Sequence, residues 1–498
     1  MDGIGQLKDD LRAGRIGADR LVDLIVALQR QLQAAQQRIA ELEKQLLGSG
    51  TVKVDDPYSM KAEEKRQVAR GGKKPKKPRK GRRGRITTAD KVAQAERSVD
   101  VVPDGLDKSE CHLSHTRPVW RLEQGRAVLI AYRIYRGPND RYGKIPGVLG
   151  RSEFGVEILV EIAHLVYIVG LSFDKVCLVL SFFQNLKLGK SQADALLHRL
   201  ARHWSNEFEI LCTLLANSLV VHTDETSWSI NSVWAFLSEK ARVVFFGVHK
   251  DAATLKEILD PATFAGTVVS DDAAVYANFT KSQKCWAHLL RKAFKLTLQD
   301  PGNLEYRRFA DRLLEIYRAA CRVQKDGRLG DAGRARKVVE LDEEIVELCG
   351  PQWAAELPPL AGVEGDYRRL TNEVMRLMLV RELFPFVAAE PVKQPNGETQ
   401  RVGATNNESE RTLRAPAEAR KTGRTNKTMA GARRQTILTS VLQSLRLYLP
   451  TFTLTTVLAE IQRWTEQGQS CFTKHLNKLK LHPPEHSVLA RVLPQPSG

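Results

Sequence analysis

The sequence predicts a multidomain α+β protein with a small α/β core and several helical regions. At 498 residues the chain is too long for one ordinary hydrophobic core. Strand-like apolar runs cluster between residues 219 and 270, whereas helical periodicities dominate on both sides of that segment. A hydrophobic content of 42% with 27% charged residues is normal for a soluble globular protein.

The first 48 residues carry a coiled-coil pattern. Apolar side chains recur in alternating steps of four and three from Leu21 to Leu46, and Gly48 follows. A period of 3.5 residues is typical of coiled coils, although an amphipathic helix packed on its own core gives a similar pattern. We predict a coiled-coil oligomerisation helix over 1–48, and therefore a homo-oligomer.

Residues 49–100 have the composition of a basic, disordered linker. Between Lys61 and Ile86, thirteen Lys or Arg residues stand against two Glu residues, in a chain of net charge +18. Such a run can be a solvated linker and nothing more, but a compact polycation also binds DNA phosphates, and we predict the second role. The predicted contacts are Lys73, Lys74, Lys76, Lys77, Arg79, Lys80, Arg82 and Arg83.

The next two segments are less specific. Residues 101–149 form a small strand-containing region with Cys111, His112 and His115, a zinc-finger remnant by pattern. We assign no zinc there, because no cysteine pair with ligand spacing lies nearby. Residues 150–216 read as three short helices with tight glycine turns, which fits a helix-turn-helix DNA reader and a plain bundle equally well.

The cysteine pattern and the absence of a signal peptide predict a cytoplasmic protein. The seven cysteines form no paired framework, which is typical of reduced thiols. The most apolar segment, 156–173, carries Glu157, Glu161 and His164, so we expect no membrane span. With DNA as its partner, the protein is expected to be nucleoid-associated.

After residue 217 the pattern changes to strands in an informative order. Three strands, a helix and a fourth strand are predicted at 219–223, 232–238, 241–248, 252–259 and 266–270. This is the order of a ribonuclease H-like sheet, in which the ends of the first and fourth strands lie side by side. We therefore expect Asp224 and Asp271, which follow those two strands, to face one another.

Two carboxylates placed in this way are suited to binding divalent metal ions. Two of them a few ångströms apart repel unless divalent cations neutralise them, and oxygen ligands suit Mg²⁺ or Mn²⁺. Two ions about 3.5–4 Å apart can promote phosphodiester cleavage. A third carboxylate from a helix would complete the site, and Glu408 and Glu410 differ by about 200° around a helix, so one of them can face the ions. Spacing alone also leaves Glu225 and Asp272 open as ligands.

Four motifs taken together resemble one family. They are HTDET at 222–226, Ser270-Asp271 with Tyr276, CWAHxxR at 285–291, and NNxxERxxR at 406–414. In order and approximate spacing they resemble the insertion sequence 66 family of DDE transposases, and the layout of nearly the whole chain is similar. The resemblance implies that Asp224, Asp271 and Glu410 are the catalytic residues and hold two Mg²⁺ or Mn²⁺ ions.

The resemblance also implies a reaction and partners. Hydrolysis at the ends of the element would free a 3′-hydroxyl, which would then attack target DNA. The partners would be double-stranded DNA, as terminal inverted repeats and as target, and small accessory proteins of the same element. Two alternatives stay open: a ribonuclease H-like nuclease that cuts without joining, and an inactive DNA-binding relic.

On this interpretation, the remaining segments complete the catalytic core around a helical insertion. We predict the first part of the core at 217–296, an all-helical insertion at 297–400, completion of the core by basic helices at 401–482, and a disordered tail at 483–498. The basic residues after Glu410 form a solvated helix face or, as we predict, position phosphates: Arg411, Arg414, Arg420, Lys421 and Arg424.

Two departures from the family pattern predict a divergent branch. The N-terminal region lacks the cysteine pairs that the family often carries. The stretch RKTGRTNK at 420–427 lacks the aromatic residue of typical members.

Overall fold

The structure is a computed structural model that describes residues 86–353 and 361–493. Helices and sheets alternate along these ranges, which confirms the predicted mixed α and β composition. The predicted coiled coil over 1–48 lies outside the described residues. So do the eight Lys and Arg residues predicted to bind DNA in the basic linker.

A three-stranded sheet begins shortly after residue 86. Helix α1 (Thr88–Ala93) precedes β1 (Arg97–Val101), β2 (His112–Glu123) and β3 (Arg126–Arg136), which lie in the order β1-β3-β2. Helix α1 begins with a capping box formed by Thr87. The predicted disorder is therefore wrong for residues 87–100, because a capped helix and a strand paired in parallel with β3 occupy that stretch.

The proposed zinc-finger remnant belongs to the same sheet. Cys111 immediately precedes β2, and His112 and His115 are exposed near the start of that strand. Within residues 86–353 and 361–493, these three side chains form no group with ligand atoms close enough to share a metal ion.

Four helices follow, where the sequence indicated three. They are α2 (Val156–Tyr167), α3 (Phe173–Gln184), α4 (Lys190–His203) and α5 (Ser205–Ala216). Helix α3 is capped at its start by Ser172, whose side chain accepts a hydrogen bond from the Lys175 N–H group. The fourth helix was missed because the break between α4 and α5 falls on Trp204, a single residue with no glycine or proline to mark it.

The central sheet has five strands in the order β6-β5-β4-β7-β8. The strands are β4 (Val220–Ser227), β5 (Ser232–Ser238), β6 (Arg242–Val248), β7 (Thr267–Ser270) and β8 (Ser282–Lys284), with helix α6 (Ala252–Ile258) between β6 and β7. The first three are antiparallel neighbours, and β7 runs parallel to both β4 and β8. The first and fourth strands of this sheet are therefore adjacent.

Strand β4 continues beyond the residue at which it was expected to end. Its parallel pairing with β7 stops at His222, but its antiparallel pairing with β5 continues to Ser227. Asp224 therefore lies inside a strand, past the point where the neighbouring strand stops. The polar sequence after Asp224 hid this extension, since an apolar run was the signal used to find the strand.

The edge strand β6 is covered by helix α13 (Met429–Tyr448). The hydroxyl groups of Thr436, Ser440 and Ser444 accept hydrogen bonds of 3.0, 2.9 and 2.9 Å from backbone N–H groups of β6. These hydroxyls recur every four residues and so lie on one face of the helix. They satisfy N–H groups that an uncovered edge strand would leave unpaired.

The long segment between β8 and the third carboxylate is mostly helical. It contains α7 (Trp286–Gln299), α8 (Leu304–Lys325), α9 (Asp331–Trp353), α10 (Gly362–Leu379) and α11 (Pro385–Ala388). These helices bury a second hydrophobic core, which also includes Val220 of β4 and Val269 of β7. The prediction of an all-helical insertion is wrong in one detail, since β9 (Val392–Lys393) pairs with β10 (Thr399–Gln400) around a turn that contains Gly397 at φ +92°.

The C-terminal part is also helical. Helices α12 (Asn407–Lys421) and α13 are followed by α14 (Leu454–Gln467), α15 (Cys471–Lys478) and α16 (Val488–Val492). The prediction of a disordered tail from 483 does not hold for α16, which buries Leu489. The Glu209 carboxylate accepts a 2.9 Å hydrogen bond from the Val488 N–H group and holds this helix start in place.

Candidate active site

Asp224 lies where β4 passes the end of β7. Its Oδ1 accepts a 2.9 Å hydrogen bond from the backbone N–H group of Glu225, and its side chain is partly buried. Asp271 immediately follows β7, and its Oδ1 accepts a 3.1 Å hydrogen bond from the Ala273 N–H group. Because β4 and β7 are parallel neighbours, the two aspartates lie at the same end of the sheet.

Helix α12 is attached to this end of the sheet by Asn406. The Asn406 side chain is buried, and its Nδ2 donates a 2.6 Å hydrogen bond to the Thr223 carbonyl. The Ser409 hydroxyl donates a 2.9 Å hydrogen bond back to the Asn406 carbonyl. The start of α12, which carries Glu410, is therefore held beside the residue that precedes Asp224.

Cys285 connects the remaining segments. Its backbone N–H group donates a 2.9 Å hydrogen bond to the Ser270 carbonyl, next to Asp271. Its Sγ accepts a 3.1 Å hydrogen bond from the Asn406 N–H group. Three short contacts therefore join β4, β7, the start of α7 and the start of α12, which are the segments that carry the sequence motifs.

Glu410 faces the guanidinium group of Arg291 and the imidazole ring of His288, both on α7. Its Oε1 lies 2.5 Å from Arg291 Nη2 and 3.6 Å from His288 Nε2. Cys285, His288 and Glu410 have ligand atoms within 4.8 Å of one another, which is close enough for a shared metal ion. The predicted triad is not gathered this closely, since no group that contains both Asp224 and Asp271 meets the same distance among the described residues.

The neighbouring acids are held by other cations. The Glu225 carboxylate lies 2.6 Å from Lys250 Nζ and accepts a hydrogen bond from the Tyr276 hydroxyl. Glu408 lies 2.5 Å from Arg242 Nη2. Asp272 forms an ion pair with Arg376 of α10.

The two glutamates of α12 thus point to different sides of the helix. Glu408 is directed to β6, and Glu410 is directed to α7. Sequence reasoning did not find the partners Lys250, Arg242 and Arg376, because each is at least 25 positions from the acid it contacts and no local motif marks it.

The pKa of Asp224 is affected by burial and by the carboxylates around it. Burial, together with the negative charges of Glu225, Asp271 and Glu410, raises the pKa of Asp224 from its ordinary 3.8 to about 7. A carboxyl group in this setting is stabilised by a proton or by a cation. The donor set consists of carboxylate oxygens, which fits a hard divalent cation such as Mg²⁺ or Mn²⁺.

The predicted phosphate-binding residues on α12 and just after it divide into two groups. Arg411, Arg414 and Lys421 are exposed. Arg420 donates a 2.7 Å hydrogen bond to the Ser227 carbonyl at the end of β4, and Arg424 donates one to the Gly170 carbonyl. The last two therefore also support the structure around the site.

Fold and site together define a mixed α/β protein in which β4, β7 and α12 bring carboxylates to one end of a five-stranded sheet. Residues 151–378 match the model of the family described as Transposase IS66 family. This match confirms the resemblance to IS66 family transposases that the motifs predicted, over that segment of the chain. The matched segment contains Asp224 and Asp271 and ends before Glu410. No curated protein matches the chain.

The family implies a nucleic-acid-processing protein that binds DNA, and DDE transposases generally use divalent metal ions. In the part of the chain that the structure describes, no helix is both long and apolar enough to cross a membrane.

Proposed function

We propose that the protein is a DNA transposase that hydrolyses phosphodiester bonds at the ends of its element and joins the freed 3′-hydroxyl to target DNA. The observation that supports this proposal is the convergence of Asp224, Asp271 and Glu410 on one end of a sheet whose strand order is that of ribonuclease H-like proteins. The assignment of the central sheet to that fold is part of the proposal.

Asp224, Asp271 and Glu410 would hold two divalent cations, Mg²⁺ or Mn²⁺. When bound, such ions polarise the phosphate and stabilise both the attacking and the leaving oxygen. The protein's own contribution is positional. Asn406 and Cys285 fix the three segments, and Glu225, Glu408 and Asp272 are each paired with a cationic side chain of the protein itself.

The ion-pair partner of Glu410 would change if Glu410 served as a metal ligand. Its carboxylate contacts Arg291, and Glu410 would have to give up that contact in order to serve as a metal ligand. Arg291 would then be available to a DNA phosphate. The exposed Arg411 and Arg414, one and four residues after Glu410, lie close to the same position and would contact the backbone on either side of the scissile bond.

We also propose that the active form is a homo-oligomer bound to DNA. The heptad pattern over 1–48 supports a homo-oligomer, and the basic run at 61–85 supports a nonspecific hold on DNA. Helices α2–α5 would read the terminal inverted repeats. Small accessory proteins of the same element would complete the complex.

The test is a joining assay with matched pairs of acids. The full chain is incubated with Mg²⁺, a plasmid target and pre-cut duplexes that end in the inverted repeats flanking its gene. Asp224→Asn, Asp271→Asn and Glu410→Gln should each abolish joining. The neighbouring substitutions Glu225→Gln, Asp272→Asn and Glu408→Gln should retain most of it.

Each result has a distinct meaning. Activity that survives in Asp224→Asn or Glu410→Gln refutes the assignment of those residues. Cleavage without joining by the wild-type protein would instead identify a nuclease. A wild-type chain that binds the ends but neither cuts nor joins them would be a DNA-binding relic.

A further inference from the structure

A large cavity lies on the side of α12 opposite to the carboxylate site. Its volume is about 830 Å³, within the range of about 300–1,000 Å³ that is typical of ligand sites. Helices α2, α3, α4, α12 and α13 and strand β6 form its walls. Its lining on α12 recurs at helical spacing and includes Glu408, Arg411, Ala415 and Ala419, whereas Glu410 is absent from it.

The walls of the cavity are strongly cationic. Six Lys or Arg side chains line it, against two carboxylates: Arg242, Arg411, Arg424, Lys427, Arg434 and Arg446, with Asp194 and Glu408. Arg434 is paired with Asp194, and Arg242 is paired with Glu408. The pKa of Arg446 is lowered by burial and by the charge of Arg242, so these two cations stand close enough to repel. An anion in the cavity would relieve that repulsion.

The cavity also offers apolar and aromatic surface. Tyr167, Phe173 and Phe246 line it beside Ala415 and Ala419. The Arg434 guanidinium stacks over the Phe173 ring at 5.6 Å. A site with aromatic walls and positive charge suits a ligand that is flat and apolar on its faces and anionic at one end.

We propose that this cavity binds one unpaired nucleotide of the DNA substrate. The phosphate would lie between Arg446 and Arg242, and the base would enter between the aromatic walls. Helix α12 would then hold the DNA on both of its faces, with Glu410 at the reacting phosphate and Ala415 beside the captured base. This inference rests on the proposed function, since it takes DNA as the ligand.

The test compares two duplexes of the same sequence, one blunt and one with a three-nucleotide single-stranded overhang, by fluorescence anisotropy with the full chain. An unpaired nucleotide needs no unstacking from a partner strand, so it enters the cavity at lower cost. Wild-type protein should bind the overhang duplex roughly tenfold more tightly, the effect expected of one stacked base. Ala415→Trp fills the cavity at an exposed helix position and should abolish this preference.

Two further variants keep the outcome decisive. Ala335→Trp adds the same ring at an exposed position of α9 outside the cavity and should retain the preference. Arg446→Gln removes a cation that would hold the phosphate, so it should reduce the preference. A preference that survives Ala415→Trp, or equal losses of affinity for both duplexes, would overturn the inference.

The two proposals fail in different ways. If wild-type protein binds both duplexes equally, the cavity takes no unpaired nucleotide and the transposase proposal stands. If it binds neither duplex, both proposals are wrong. A change of oligomeric state in Ala415→Trp, with the preference intact, would assign the cavity to a contact between copies of the chain and would also overturn the inference.

Discussion

Asn406 Nδ2 donates a 2.6 Å hydrogen bond to the carbonyl oxygen of Thr223, and both residues are fully buried. The contact joins the start of α12 to β4 one residue before Asp224, across 183 positions of sequence. It therefore fixes the distance between two carboxylates that the chain itself leaves far apart. The neighbouring Asn407 is exposed, although the two asparagines are adjacent in the same motif.

Asn406→Ala should destabilise the protein and impair the site together. The substitution leaves the buried Thr223 carbonyl without its donor, a loss of about 1–3 kcal/mol in the free energy of unfolding. Joining should fall further than stability explains, because α12 loses its attachment to β4. Denaturant unfolding and the joining assay measure the two effects. Asn407→Ala is the matched control and should stay within about 0.5 kcal/mol of wild type; equal effects of the two substitutions would contradict the tethering role.

Much of the sheet could be predicted from the sequence, for a local reason. Apolar runs separated by short turns marked β5 and β6 to within a residue, and the strand order led to the expectation that Asp224 and Asp271 lie at one end of the sheet. The predicted length of β4 was wrong because the last residues of the strand are polar and owe their conformation to pairing with β5. Tertiary pairing of this kind leaves no periodicity to detect.

The site was less predictable than the sheet. Spacing could not choose between Glu408 and Glu410, and the family resemblance made that choice. The structure adds the physical distinction that Glu408 is paired with Arg242 of β6, whereas Glu410 faces Arg291 and His288 of α7. These contacts join residues more than a hundred positions apart, so no local pattern could indicate them. The metal ligands themselves stay a prediction.

The hydroxyl ladder between α13 and β6 can be tested at its centre. Ser440→Ala removes the acceptor of the buried Val244 N–H group, so the free energy of unfolding should fall by about 1–3 kcal/mol. Thr439→Val, at the preceding residue, removes a hydroxyl that has no partner in the described structure and should cost far less. Chemical denaturation of both variants measures the difference. Similar losses would show that packing, not the hydrogen bond, stabilises this edge.

The basic face after Glu410 predicts a salt dependence. Arg411 and Arg414 are exposed, and each phosphate that they contact contributes about 0.9 to the slope of log affinity against log salt concentration. The double variant Arg411→Gln, Arg414→Gln should therefore reduce that slope by about 2. Arg126→Gln, at an exposed arginine of β3, should leave it unchanged. A weaker affinity with the original slope would mean that these arginines do not contact phosphates.

The pKa of Asp224 makes stability depend on pH in a defined direction. Its pKa is raised from 3.8 to about 7 by burial and by the surrounding carboxylates. Between these two values the folded state binds more protons than the unfolded state, so this group's contribution to stability falls as pH rises through the window. Above pH 7 the full cost of the ionised carboxylate is present unless a cation offsets it.

Asp224→Asn should therefore melt at a higher temperature than wild type at pH 8 in the presence of a chelator, and the difference should shrink toward pH 4, because the asparagine carries no charge at any pH. Replacing the chelator with Mg²⁺ at pH 8 should raise the melting temperature of wild type and not that of the variant, since an ion that binds the folded state alone stabilises it. Glu408→Gln, whose carboxylate is paired with Arg242, serves as the control and should keep the response to Mg²⁺. Thermal melts across pH 4–8 measure these differences. A wild-type protein that is more stable than Asp224→Asn at pH 8 without metal would show that Asp224 is stabilised by a cationic partner of the protein itself, and would remove the electrostatic argument for a metal ion at this position.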